Sequence, residues 1–182
     1  MTAADPANVD PDGAPLYPGT WRGASAEAVG ERMAAGESPA LRLNMEGAMQ
    51  ALKAKRGDKP LTFVEVDEDG GQQTITARPE RWGDAVIVRK EVPASYHLSV
   101  VVDDARQGVT HVTRGQDLLA ATDLQRLLQE LLDLPEPVYS HHRVIRWADG
   151  RKLSKSNQDM GIRALRDEGA TADDIRRVIF EG

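Results

Sequence analysis

The sequence predicts an α/β fold, with α+β as the neighbouring alternative. Three observations carry this. Short apolar runs bounded by turn residues are interspersed with segments of helical period along the whole chain. Leucines at 118, 119, 124, 127, 128, 131 and 132 give residues 117–132 a broad apolar helical face. Finally, Leu61–Val66 and Gln72–Ala77 alternate around Asp67-Glu68-Asp69-Gly70-Gly71, a hairpin pattern. Before residue 84, βαβ repeats are poorly represented.

The first 24 residues are rich in Ala, Asp, Pro and Gly and lack a hydrophobic period, which reads as flexible chain with a small ordered centre at Leu16, Tyr17 and Trp21. Ser25 is placed to cap a short helix to about Ala35, closed by Gly36. Leu41–Leu43 is a short strand candidate, and Asn44 caps a helix whose face is Met45, Ala48, Met49 and Leu52. After the hairpin, Asp84–Lys90 is a strand. Ser95–Ala105 is ambiguous, because three valines favour a strand while Ser95 is a good cap. Val109–Thr113 is a strand. Pro135 and Pro137 end the leucine-rich helix. Arg143–Trp147 is expected as a strand before the Asp149-Gly150 turn, with His141 and His142 ahead of it in a solvated or structural role. Helices at 159–168 and 172–180 close the sequence, the second with Thr171 and Asp174 in a capping-box arrangement.

Composition excludes several classes. The chain has 182 residues, no cysteine and a formal net charge of -6. Without cysteine there is neither a disulfide framework nor a thiolate metal site. The acidic balance argues against a general polyanion-coating protein, while leaving room for a local basic patch. No apolar run approaches the ~20 residues that span a bilayer. The opening residues carry no secretory signal pattern. The expected location is the cytoplasm, with no membrane partner.

Two stretches can carry chemistry. Lys152-Leu153-Ser154-Lys155-Ser156 follows a strand and a Gly turn. Two lysines three apart, with small hydroxyl residues beside them, suit a loop that reaches a polyphosphate, because each ammonium is a compact charge on a long stem. Such cations stabilise the charge that develops on a pyrophosphate leaving group. A bare K-x-x-K also describes a solvated basic loop. The second stretch runs from Tyr96-His97-Leu98-Ser99 through Asp103-Asp104 to Thr113-Arg114-Gly115-Gln116-Asp117. Arg114 stands between a strand and a helix, where open α/β sheets bind ligands. Two roles are open to it: a bidentate grip on a carboxylate, or a salt bridge with Asp103, Asp104 or Asp117. Tyr96 by itself reads as a half-buried core aromatic.

Taken together these residues resemble a known family. KLSKS is similar to the second signature of class I aminoacyl-tRNA synthetases. YHLSVVVDDARQGVTHVTRGQDLLAAT, LLDLPEPVYSHH and ADGRKLSKS resemble the glutamyl-tRNA synthetase group. The DPDGAPLYPGTWRG and LRLN stretches, and the 26 residues after Ser156, resemble its truncated glutamyl-Q tRNA(Asp) synthetase branch. The resemblance runs from about Asp10 onward. It implies the later part of a Rossmann-like catalytic domain with an inserted smaller α+β subdomain. Residues 1–36 would correspond to a linker and zinc-knuckle-like remnant, 37–83 to the insertion, 84–158 to the second half of the catalytic domain, and 159–182 to short terminal helices. It implies activation of glutamate with ATP and Mg2+, then transfer of glutamate to the queuosine base of tRNA(Asp). By position, Tyr96 and Arg114 match residues that hold glutamate. Lys152 and Lys155 match the catalytic lysines, with Lys152, Leu153, Ser154, Lys155 and Ser156 as the mobile ATP-binding loop.

Two departures shape the expectations. The family's HIGH-type histidine motif and its early arginine have no counterpart in these 182 residues, whose four histidines are His97, His111, His141 and His142. The chain alone is therefore expected not to form glutamyl-adenylate at a useful rate. A missing N-terminal segment or separate chain would complete it. The alternatives are a non-catalytic remnant or split-gene half that binds glutamate, ATP, tRNA or a partner, and a fragment of a glutamate-tRNA ligase. Secondly, the family's zinc element has Tyr-x-x-x-Cys, whereas here Trp21 follows Tyr17, so zinc is not expected and both side chains read as hydrophobic anchors. For tRNA, the candidate cations are Arg143, Arg146, Arg151 and Lys152, with Arg163, Arg166, Arg176 and Arg177 near the end.

Overall fold

The computed structural model describes residues 8–146 and 161–180. Six helices and six strands are seen among them. Helix α1 (Ala26–Ala34) starts at Ser25, whose side chain accepts from the Ala28 N–H, and stops before Gly36 at φ 89°. Strand β1 (Leu41–Arg42) precedes α2 (Met45–Arg56), capped by the Asn44 side chain on the Gly47 N–H. The hairpin forms as the alternation demands: β2 (Thr62–Val66) pairs antiparallel with β3 (Gln72–Thr76). Asp67 organises its turn by accepting from the N–H groups of Asp69 and Gly71. A 3-10 turn at Pro79–Trp82 leads to β4 (Val86–Val88).

The ambiguous segment after β4 is helical. Helix α3 (Tyr96–Gln107) is capped by Ser95 and ended by Gly108 in the left-handed region, so the two boundary residues outweigh the valines' strand preference. Tyr96, expected half-buried, stands on the first turn with 49% of its surface exposed. Strand β5 (His111–Gly115) is followed by a 3-10 turn at Gln116–Leu118 and by α4 (Leu119–Leu131).

The next strand is not where the sequence suggested. Strand β6 is Val138–His142, and of the expected 143–147 strand only a single bridge at Arg146 is seen among the described residues. VYSHH looks polar, but its alternation is real. Tyr139 is buried among aromatic and aliphatic side chains, and the His141 side chain is 2% exposed beside an acid. The last helices are α5 (Ile162–Asp167), shorter than expected, and α6 (Ala172–Phe180). Thr171 and Asp174 form the reciprocal capping bonds expected of them, at 2.9 and 3.2 Å.

Strand order in the main sheet is β3-β2-β6-β5, and β1 with β4 forms a separate antiparallel pair. Within the main sheet β2, β6 and β5 are parallel, so β5-α4-β6 is a βαβ unit and the hairpin strand β2 joins it. Strands from both 37–83 and 84–158 therefore share one sheet. Helix α4 is the centre of the molecule, with every residue from Ala121 to Gln129 buried. Leu124 and Leu127 pack with Phe63, Tyr139 and Trp82, and the Phe63 and Tyr139 rings meet edge-on at 5.6 Å. The polar residues of α4 find partners from the surrounding elements. Arg126 donates to the Thr62 carbonyl at 2.9 Å and pairs with Glu136 at 2.9 Å, and Asp123 pairs with Arg81.

Candidate functional site

Parallel pairing brings the carboxyl ends of β2, β6 and β5 together, and each carries a polar or charged side chain one residue from its end. These are Glu65 on β2, His141 on β6 and Arg114 on β5. Arg114 and His141 are register partners, and Glu65 is opposite Tyr139. Residues one and two positions on from there define the strand-end edge at which α/β sheets bind ligands.

Arg114 is held from several sides. Its Nε donates to His141 Nε2 at 3.0 Å, one Nη to Gln125 Oε1 at 2.7 Å and the other to Thr122 Oγ1 at 2.5 Å. The guanidinium also lies 5.3 Å from the centre of the Tyr139 ring. The sequence left a salt bridge and a ligand grip open. Among the described residues Arg114 makes hydrogen bonds to neutral groups, and these engage three of its five N–H donors. Gln125 is 2% exposed, and its Nε2 is buried without a partner, so a second polar donor stands beside the guanidinium with its hydrogen bond unmade.

His141 corrects the sequence reading. It is within a strand rather than ahead of one, and of the two roles left open it is structural, not solvated: its Nδ1 is 2.9 and 2.8 Å from the two Glu65 oxygens, and its backbone N–H donates to Glu65 Oε1 at 2.8 Å. Burial pushes the imidazole below the usual histidine value, and the neighbouring Glu65 opposes this incompletely. Sequence reasoning missed both Glu65 and His141. The one available signal was an acid and a histidine each at the inward phase of a strand.

Tyr96 is on the first turn of α3, its ring 5.6 Å from that of His97. Burial holds His97 below its ordinary value. Asp12 opposes that, and the positive charge of Arg114 adds to it, so the guanidinium is felt at the residue next to Tyr96. Asp104, further along α3, is pushed up by burial against the pull of Arg114. Lys152, Leu153, Ser154, Lys155 and Ser156 lie outside the described residues, as does Arg151. Of the other cations named for tRNA, Arg143 donates to the Ile179 carbonyl, and Arg176 and Arg177 pair with Asp173 and Asp174 on their own helix.

A cavity of about 660 Å³ opens elsewhere, between α1 and β1, lined by Tyr17, Trp21, Arg32, Met33, Arg42 and Asp84 among others. This is the zinc-knuckle-like region. The Tyr17 hydroxyl accepts from the Trp21 N–H at 2.6 Å, and Arg42 lies over the Tyr17 ring at 4.5 Å. Trp21 is 44% exposed and carries the Arg32 guanidinium on its face at 4.7 Å, so it is a stacking surface rather than the hydrophobic anchor expected. With no cysteine in the chain and this pair in place, the donor set does not fit zinc. Among the described residues no group of three or more His, Asp or Glu is arranged to hold a metal ion, and no helix is long and apolar enough to cross a membrane.

The βαβ sheet thus has an arginine at its strand-end edge, and the helix before that strand is capped and bears an exposed tyrosine. The class I tRNA synthetases (E and Q), catalytic domain, match residues 22–181, and the chain belongs to this family. Particular relatives are more specific. The chain is 42% identical over 181 residues to a glutamyl-Q tRNA(Asp) synthetase of Rhodobacter capsulatus, covering 95% of this chain and 59% of that one. It is 41% identical over 154 residues to the glutamyl-Q tRNA(Asp) synthetase of Verminephrobacter eiseniae, covering 85% and 46%. It is also 34% identical over 155 residues to a glutamate–tRNA ligase of Coxiella burnetii, covering 85% and 30%. The chain thus spans less than two thirds of the length of each of these relatives. Among solved structures, a glutamate tRNA ligase from Elizabethkingia meningosepticum aligns over 80% of this chain and 32% of its own, with 21% identity and a TM-score of 0.44.

Proposed function

We propose that this chain supplies the glutamate-holding part of a glutamyl-Q tRNA(Asp) synthetase. The supporting observation is the fixed Arg114 at the joined ends of β5 and β6, with buried polar partners behind it and the exposed Tyr96 on the nearby helix α3. A guanidinium held on one side by hydrogen bonds is suited to present its remaining donors to a carboxylate in bidentate fashion. In this reading Arg114 grips glutamate and the Tyr96 hydroxyl offers a further hydrogen bond. Lys152 and Lys155, with Leu153, Ser154 and Ser156, reach the phosphates of ATP. The glutamate carboxylate attacks the α-phosphate and pyrophosphate leaves. That step needs alignment and charge stabilisation more than a protein nucleophile. Mg2+ would arrive with the nucleotide as its phosphate counter-ion. The acceptor is then the queuosine base of tRNA(Asp), in the cytoplasm. The four-part division at 36/37, 83/84 and 158/159 belongs to the same proposal, although the main sheet crosses the second boundary.

The test is transfer of labelled glutamate, run on the chain alone and with the HIGH-bearing segment of a relative added in trans. Glutamylation of tRNA(Asp) that contains queuosine, and not of the same tRNA lacking it, is the expected result in the supplemented reaction. The unsupplemented chain should give no glutamate-dependent ATP–pyrophosphate exchange. Charging of tRNA(Glu) at its 3' end would instead favour the glutamate–tRNA ligase reading. Exchange unchanged by Lys155→Ala would remove that lysine from the scheme.

A further inference from the structure

Arg114 Nε–H can donate to His141 Nε2 only if that nitrogen carries a lone pair. The imidazole must therefore be neutral, with its proton on Nδ1. Nδ1–H in turn needs an acceptor, and both Glu65 oxygens are within 2.9 Å of it. The same carboxylate takes the His141 backbone N–H, which fixes the acid against β6. The Thr122 oxygen accepts from Arg114 and lies 3.3 Å from His141 Nε2, whose one lone pair already takes the Arg114 Nε–H. The Tyr139 ring, stacked on the imidazole at 6.1 Å and 10°, restrains its plane. A doubly protonated imidazole would set two N–H groups against each other and break this arrangement.

We propose that Glu65 and His141 are positioning residues for the glutamate site. Glu65 selects the Nδ1–H tautomer of His141, and the exposed lone pair on Nε2 sets the rotation of the Arg114 guanidinium. This three-strand relay rests on the reading of Arg114 as the group that grips glutamate. It adds that the geometry of that grip is decided on β2 and β6, by residues that do not touch the substrate. The groups facing His141 are Glu65 from β2, Arg114 from β5, Thr122 from α4, and Tyr139 and His142 on its own strand β6.

Two measurements on the full chain test it. The first is a nitrogen-15 spectrum of the histidine rings of the unaltered protein, which distinguishes the tautomers. His141 is expected as neutral Nδ1–H at pH 7, and to change tautomer or titrate differently in Glu65→Gln. A neutral Nε2–H ring or an imidazolium at pH 7 overturns the proposal whatever the protein binds. The second is L-glutamate affinity by calorimetry. His141→Leu should weaken binding by roughly tenfold or more, the loss expected for a hydrogen bond to a charged group. His141→Gln, whose amide offers both an acceptor and a donor, should recover most of it. Affinity lost in Arg114→Lys but unchanged in His141→Leu overturns the relay and leaves the glutamate reading standing. Affinity unchanged in Arg114→Lys, or no binding by the unaltered protein, overturns that reading as well.

Discussion

Helices α4 and α1 have opposite surroundings. Nine consecutive residues of α4 are buried, and its charged side chains are tied to partners in α2, β2 and the 3-10 turn. None of the residues of α1 is buried, and it covers an open cavity whose walls are Trp21, Met33 and several arginines. Helix α1 has a capping side chain in Ser25 whereas α4 continues from a 3-10 turn without one, so the start signals do not account for the burial of α4. What separates them is the number of elements that pack around each. An element enclosed by a sheet and two helices becomes structural down to its polar residues. One that touches its neighbours along a single side keeps exposed apolar and cationic groups for contacts outside itself.

The largest effect that tests this contrast comes from the core. Leu124 and Leu127 are fully enclosed, so Leu127→Ala should cost about 2–5 kcal/mol in urea unfolding. Met33→Ala on α1, at 53% exposure, should stay within about 0.5 kcal/mol. Equal losses would erase the distinction between the two regions. Next comes Arg126, whose buried head group pairs with Glu130 and the more exposed Glu136 and is bonded to the Thr62 carbonyl. Arg126→Ala should cost about 1–3 kcal/mol, because it leaves the Thr62 carbonyl without its donor and Glu130 with Arg56 as its remaining cation among the described residues.

Acid should weaken the enclosed side of the molecule at mild pH. Burial holds both His97 and His141 below their ordinary value. As pH falls, the unfolded chain therefore takes up their protons before the folded one. Their contribution is complete above about pH 6.5 and is lost as pH drops through the lower folded values. Thermal melts between pH 7.5 and 5 should show this decline, and His141→Gln should flatten part of it. The smallest effect concerns the caps. Asn44→Ala should cost about 1 kcal/mol at the head of the packed helix α2. Ser25→Ala, before the exposed α1, should cost less, and a comparable loss at both sites would show that α1 contributes more to the folded state than its burial suggests.

Much of the architecture is written locally. Ser25, Asn44 and the Thr171–Asp174 pair each marked a helix start that the structure contains, while Ser95 left its segment open between strand and helix. The Asp67-to-Gly71 turn marked the hairpin. Strand β6 was not legible in the same way. Val138–His142 offers polar residues and no turn signal of its own, and it becomes a strand because two parallel neighbours flank it. The site divided along the same line. Arg114 was found from its place between strand and helix. His141 and Glu65 were not, because a buried imidazole is intelligible only with the acid and the guanidinium that enclose it. Those partners are 76 and 27 residues away.

Those separations carry a consequence for how the protein comes together. The β2–β3 hairpin and the capped helices close over short stretches of chain. The Glu65–His141–Arg114 relay waits until β6 has slotted between β2 and β5, a docking of remote segments with a larger loop-closure cost. The site should thus be among the last parts to mature during refolding. The His141 ring signal should then appear after hairpin amides are protected from exchange. The hydrogen bonds that hold Arg114 and His141 would form only at the moment when the sheet is whole.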